Sequence, residues 1–462
     1  VANRSDTELC TWPAIDVAGW PAPAVPFPVS VPYRPRPDLA RLGTTVHGVP
    51  ETRLLDVDAT LPRCLAAKWR RLQDRPGRCV AIAPGLADDP QAVWRRVCAG
   101  ALAIAEREST QASRRPDCCA GDEGAGGADR PGPVEGARAG RVPGARAGTG
   151  EPAETSATSA TSETGETSET SETSATSATS AASAASATSA TSATSATSAT
   201  SAAAIGRARP PLLRRSGDSI EAVAAGWSMP ADPAAPFALR ALRADAQPVL
   251  DWIAGRPAAE RPLHALALAV QEDLAWIEAP SPGAPVRAAM LHVCWPSGWS
   301  PADKIGLDFG AIHAPVADGD ALRSAAPALS RVLVSQGPFV RFVWTIAPDG
   351  AASRHPDDRQ EPPPGADGLA DALWFRTERQ VTLPMDPASG AVAPGGAALF
   401  LIRLHLAPLA QIMADPLRRV TVLGALASMS DATVGYKRLA AIRAIVAREW
   451  GGEGGRPQAD ET

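Results

Sequence analysis

The chain has 462 residues, with 45 basic and 50 acidic side chains and a net charge of −5. That length allows two or three ordinary domains, and the slightly acidic balance gives no basic surface for nucleic acid or an anionic membrane. Seven cysteines without a C-x-x-C pair argue against a zinc site, a ferredoxin-type cluster or a disulfide framework, and fit the reducing cytoplasm.

Residues 1–36 are rich in proline and carry no apolar signal-peptide core; they read as an extended arm packed on a folded body. Leu61, Leu65, Trp69 and Leu72 recur at helical spacing behind two candidate caps, Asp58 and Thr60. A second helix is expected after Asp89-Pro90, with Val93, Val97, Ala101 and Ile104 as its apolar stripe. Residues 37–108 thus read as the first part of a folded domain. From 109 to 218 the composition falls to Gly, Ala and Arg, then to repeated Ser-Ala-Thr and Ser-Glu-Thr triplets, then to a short linker. Large apolar residues are almost absent from it, so burial cannot offset the entropy of ordering, and a long disordered insertion is expected. A fold tolerates such an insertion because loop-closure entropy grows only with the logarithm of length.

The second part of the domain is expected over 219–450, followed by a flexible tail over 451–462. A helix is expected over roughly His264–Ile277, with Leu263, Leu266, Val270, Leu274 and Ile277 on one face. Strand-like runs rich in Val, Ile, Phe or Trp follow at Arg287–Trp295, Phe339–Ile346, Leu373–Leu383 and Ala397–Leu406. Further helices are expected over Ala321–Ser335, Pro416–Met429 and Thr433–Trp450. The whole reads as α+β, an antiparallel sheet flanked by helices. No stretch reaches the roughly 18 apolar residues that would span a bilayer.

Common nucleotide-binding and hydrolase motifs are missing: there is no G-x-S-x-G, no P-loop, no G-x-G-x-x-G after a strand and no H-E-x-x-H. Any redox reaction would therefore import its electrons. Of six histidines, His355 reads as a solvated loop residue, His292 and His405 as strand residues, His264 as a helix opener and His47 as a loop residue. His313 differs, because it lies in the small and apolar run Gly310-Ala311-Ile312-His313-Ala314-Pro315-Val316. An imidazole in apolar surroundings on a stiff backbone suits an axial haem ligand, although a histidine in such a place is more often a structural one that simply finds a hydrogen bond. Strand alternation along Trp374–Gln380 puts Arg376 and Glu378 on one face and Arg379 on the other. Two readings stand for these charges: an Arg–Glu ladder on a solvated face, or a guanidinium that grips a carboxylate. Near the expected end of a helix, Gln271-Glu272-Asp273-Leu274 carries adjacent carboxylates that read as a solvated or capping pair.

Taken in order, several motifs resemble one family. They are Val270-Gln271-Glu272-Asp273-Leu274, Trp295-Pro296-Ser297-Gly298-Trp299, Asp303-Lys304-Ile305-Gly306 and Ile312-His313-Ala314-Pro315-Val316. After these come Arg376-Thr377-Glu378-Arg379-Gln380, Leu399-Phe400-Leu401-Ile402-Arg403 and Tyr436-Lys437-Arg438-Leu439. Their sequence and spacing resemble the haem-dependent oxidative N-demethylase alpha-subunit family, with Arg41-Leu42-Gly43 and Leu55-Asp56-Val57-Asp58 similar as well. Gly298 stands where an arginine is more usual, and Ala317-Asp318 where Pro-Gly is more usual.

The resemblance implies a PAS-like domain that holds haem b, with His313 the axial ligand to iron. It implies Arg376 and Arg379 as cofactor contacts, one of them facing the pocket, and Glu378 as a contact for substrate or proton. The implied activity is monooxygenase-type removal of an N-methyl group from a small methylated amine with dioxygen, releasing formaldehyde. Electrons would come from partner subunits carrying flavin and an iron–sulfur centre. A haem or small-ligand sensor that never turns over is the alternative, since a PAS-like pocket serves both roles.

Overall fold

A computed structural model describes residues 12, 15–18, 20–113, 210–358, 365 and 369–452. The expected disordered insertion lies largely outside these residues, as do most of the expected tail and the start of the arm. The described part has one dominant antiparallel sheet with helices packed on it, an α+β architecture. Its seven strands are β1 (Ala40–Arg41), β2 (Val80–Ile82), β3 (Asp273–Glu278), β4 (Arg287–His292), β5 (Phe339–Ala347), β6 (Trp374–Met385) and β7 (Ala397–Pro408). They lie in the order β1-β5-β6-β7-β3-β4-β2, every pair antiparallel. The three long strands β5, β6 and β7 are sequential neighbours joined edge to edge, the simplest way to build a meander.

Helix α1 (Leu61–Asp74) buries the expected stripe of Leu61, Leu65, Trp69 and Leu72. Helix α2 (Pro90–Ser113) starts at Asp89, whose carboxylate accepts from the Ala92 amide, and buries Val93, Val97, Ala101 and Ile104. Gly100 lets this helix press on the sheet: a Cβ there would come within 3.2 Å of Leu399 and 3.5 Å of Trp276. Helix α2 runs past the expected start of the insertion, and the chain resumes in a strand at Leu213–Ser216. The Glu108 carboxylate accepts from the Leu212 and Leu213 amides, so the segments before and after the insertion are tied side by side.

Two expectations need correction. The helix expected over His264–Ile277 stops early: α3 spans Arg261–Ala267, and Asp273–Glu278 is strand β3 in the sheet interior. An interior strand is apolar on both faces, so its run cannot be told from a buried helix by periodicity alone. The single helix expected over Thr433–Trp450 is two, Asp431–Tyr436 and Ala440–Trp450, broken where Arg438 takes φ 56°. The break lets Lys437 turn inward, where its Nζ donates to the Trp344 carbonyl at 2.9 Å. The expected helices over Ala321–Ser335 and Pro416–Met429 are present as Asp320–Ser335 and Pro416–Ser428.

Charged residues are buried between α1, the 51–60 segment and the sheet. Arg403 donates to the Asp58 carboxylate at 2.9 Å, and the Asp56 carboxylate lies 3.0 Å from His405. Gln271 and Glu272 accept from the Asp58 and Asp56 amides, so this expected solvated group is in fact buried. Burial alone would raise the pKa of Asp56, but His405, Arg379 and Arg403 outweigh it and hold the carboxyl at about 2. A carboxyl depressed in the folded state stabilises above its ordinary value of 3.8 and loses that contribution as pH falls toward about 2. Asp56→Asn should therefore flatten the fall in melting temperature between pH 4 and 2, as read by thermal melts across that range. An unchanged acid limb would remove Asp56 from the acid response.

Candidate functional site

The covering layer leaves part of one sheet face open. On the face shared by Arg341, Val343, Glu378, Gln380, Phe400 and Ile402, each of these residues is only half-buried, although β5, β6 and β7 are not edge strands. Their registers place Arg341 opposite Gln380, Val343 opposite Glu378, and Gln380 opposite Ile402. On the other face, residues such as Phe375, Val381, Leu399 and Leu401 are buried. A long central strip that stays half-open, with apolar residues among a few polar ones, is the usual makeup of a ligand cleft.

Helix α4 (Phe309–His313) stands beside this strip. Its Ile312 packs in one cluster with Phe400, Trp299 and Ile305. The helix is short but fixed at both ends: Asp308 caps it by accepting from the Ala311 amide at 2.9 Å, and Lys304 Nζ donates to the Ile312 carbonyl at 3.1 Å. His313 closes it. The ring stacks on Phe309 with centroids 4.0 Å apart, and Nδ1 lies 2.8 Å from the Phe309 carbonyl. A carbonyl only accepts, so Nδ1 carries the proton and Nε2 keeps its lone pair. Burial, with Arg341 and Lys304 adding positive charge, pushes the imidazole down to about 4, so it is neutral at physiological pH. The ring is thus oriented, in a single tautomer, with a free nitrogen donor.

Glu378 is held on the open face. It accepts from the Ser297 hydroxyl through one oxygen and from Gln380 Nε2 at 2.9 Å through the other. Its negative charge is felt by Arg341, Arg376 and Lys437. Lys437 is nonetheless pushed down to about 8, because burial outweighs the attraction of Glu378.

Arg376 and Arg379 lie on opposite faces, as alternation requires. Arg376 is buried beside Glu378, and its hydrogen bonds are made within the chain: Nε to Ser297, one terminal nitrogen to the Ala352 carbonyl, the other to the Trp295 carbonyl. Arg379 pairs with Glu51 at 2.8 Å and donates to the Arg53 and Leu54 carbonyls behind the sheet. The expectation that one of them grips a ligand carboxylate thus meets guanidinium groups that already have partners. His313 and Glu378 share the open side of the molecule; Arg379 does not.

Three features escaped the sequence reading. Arg341 has the signal used for Arg376, a charge in an apolar strand run, yet it was not singled out. Ser297 carries no signal of its own, since only folding brings it to Glu378. His355, expected in a solvated loop, is buried, because Asp358 pins that loop to Arg71 at 2.8 Å and Arg78 at 2.9 Å. Where the chain departs from the family pattern, Asp318 takes φ 55° and accepts from Ser430 and from Thr433, holding the start of the helix Asp431–Tyr436.

Among the described residues no helix is long and apolar enough to cross a membrane, and no group of three or more His, Cys, Asp or Glu is arranged to hold a bare metal ion. A haem asks less of a protein, one axial donor and apolar walls. No curated protein matches the chain. Residues 244–447 match the family described as haem-dependent oxidative N-demethylase, alpha subunit-like. The matched segment carries α4, the open strip and all seven motifs of the resemblance, so over these residues the chain is similar to that family.

Proposed function

We propose that this chain is the haem-binding subunit of an oxidative N-demethylase-like monooxygenase. His313 carries the reading: a neutral imidazole fixed through Nδ1 on the Phe309 carbonyl, with Nε2 left as a donor beside a half-open sheet face. A b-type haem suits that combination, because it needs an axial nitrogen, apolar walls and a cation for its carboxylates. The helix-flanked antiparallel sheet then serves as a PAS-like cradle. Haem iron, when bound, supplies oxygen activation; ligand, access and electrostatics come from the protein.

Each residue has a place in this reading. His313 holds the iron. Glu378, kept in position by Ser297 and Gln380, accepts a hydrogen bond from the ammonium of a small methylated amine or holds its proton. Arg376 positions the wall by tying Trp295 and Ser297 to Ala352, and Arg379 fixes the 51–54 segment behind the sheet. In the overall reaction the N-methyl amine, dioxygen, two electrons and two protons give the demethylated amine, formaldehyde and water. Flavin and iron–sulfur reductase subunits in the cytoplasm supply the electrons.

The test is an absorption spectrum of the purified protein before and after haem addition and dithionite reduction. A Soret band that shifts on reduction is expected, with formaldehyde released from a methylamine once a reductase is added. No Soret band under any loading condition would sink the reading. A Soret band without formaldehyde from any methylamine would favour the sensor.

A further inference from the structure

The open strip contains a cation that the described residues do not satisfy. Arg341 projects from β5 opposite Gln380, and its Nε is sealed from solvent without a hydrogen-bond partner. The other arginines buried in the sheet are each anchored: Arg376 on Ser297 and loop carbonyls, Arg379 on Glu51, Arg403 on Asp58. The Arg341 guanidinium makes neither a hydrogen bond nor an ion pair with the described residues; the carboxylates of Glu378 and Asp38 act on it only through their charge. Burial disfavours its charged form, and an unsatisfied buried donor costs free energy that a structural role would repay with a partner. His313 feels the same positive charge.

We infer that Arg341 is the docking point for a carboxylate of the ligand on the open face, a haem propionate in the reading above, on which this inference rests. A guanidinium offers a planar fork that matches a carboxylate, and a donor sealed from water gives a strong charge-assisted bond. Arg376 and Arg379 give their donors to the fold, and Arg341 gives its donors to the cofactor.

The experiment titrates apoprotein with haemin and with haemin dimethyl ester, whose propionates are blocked, and reads the Soret band for wild type and R341Q. Wild type should prefer haemin over the diester by about tenfold or more, the range for a hydrogen bond to a charged group. R341Q should bind both alike and keep the wild-type Soret position, since His313 is untouched. Thermal melting of apo R341Q should be no lower than that of wild type, because no native hydrogen bond is removed. A full haemin preference in R341Q would overturn the assignment, and a markedly less stable apo R341Q would return Arg341 to a structural role. No Soret band from wild type with either ligand would remove the haem reading itself, an outcome distinct from an undiminished preference in R341Q.

Discussion

His313→Ala is expected to lose stable haem loading while the protein stays folded. The ring is the nitrogen donor of the proposed site, and its tautomer is set by the Phe309 carbonyl, so nothing nearby replaces it. Losing only an outer hydrogen bond to a ligand typically costs 10- to 100-fold in metal affinity, so loss of the ligand should cost about a hundredfold or more. The fold should suffer little. His313 ends a short helix, is half-buried, and gives up one hydrogen bond and one stacked ring, together about 1–2 kcal/mol. Soret absorbance after gel filtration measures the loss, and added imidazole should restore part of it by filling the gap. Equal haem content in the variant and wild type would eliminate His313 as the ligand.

Lys68→Ala is expected to be the most damaging single change to stability. Lys68 lies on the apolar stripe of α1, is fully buried, and donates to the carbonyls of Ala267, Val270 and Glu272. Its Nζ is 3.6 Å from the Asp273 carboxylate. Those bonds replace helix hydrogen bonds beyond Ala267 and turn the chain into β3. Removing the ammonium strands three carbonyls and leaves a buried carboxyl without its cation, a loss of about 3–5 kcal/mol. Denaturation in urea should show it as a lowered midpoint. A shift worth less than about 1 kcal/mol would mean that the carbonyls find other partners. The damage should reach the candidate site, because Asp273 also accepts from the Trp295 amide at 2.8 Å, where the wall bound by Arg376 begins.

The candidate site was legible in part. His313 stands out because its neighbours are small and apolar, and a resemblance spread over seven motifs adds the iron-ligand expectation. Arg376, Glu378 and Arg379 stand out because charges inside a strand need partners. Which partners they have is another matter. Arg379 meets Glu51, and Arg376 meets Ser297 and Ala352, only through pairings between segments distant in sequence. Arg341 carries the same local signal, and its lack of a partner is visible only when its surroundings are assembled.

By itself the sequence determined the α+β class, the two helices before the insertion, the strands from Arg287 onward and the helix ending at Ser335, each within a few residues. It could do so because amphipathic periodicity records which side of a local element is buried. Tertiary structure alone decided that Asp273–Glu278 is a central strand, that the last long helix breaks at Arg438, and that Gln271-Glu272 is buried. A strand apolar on both faces loses its period of two, a break that serves Lys437 depends on a distant carbonyl, and a polar group is buried only when a far segment supplies its partner. Local pattern fixes what an element is; the fate of each charge waits for the segment that packs against it.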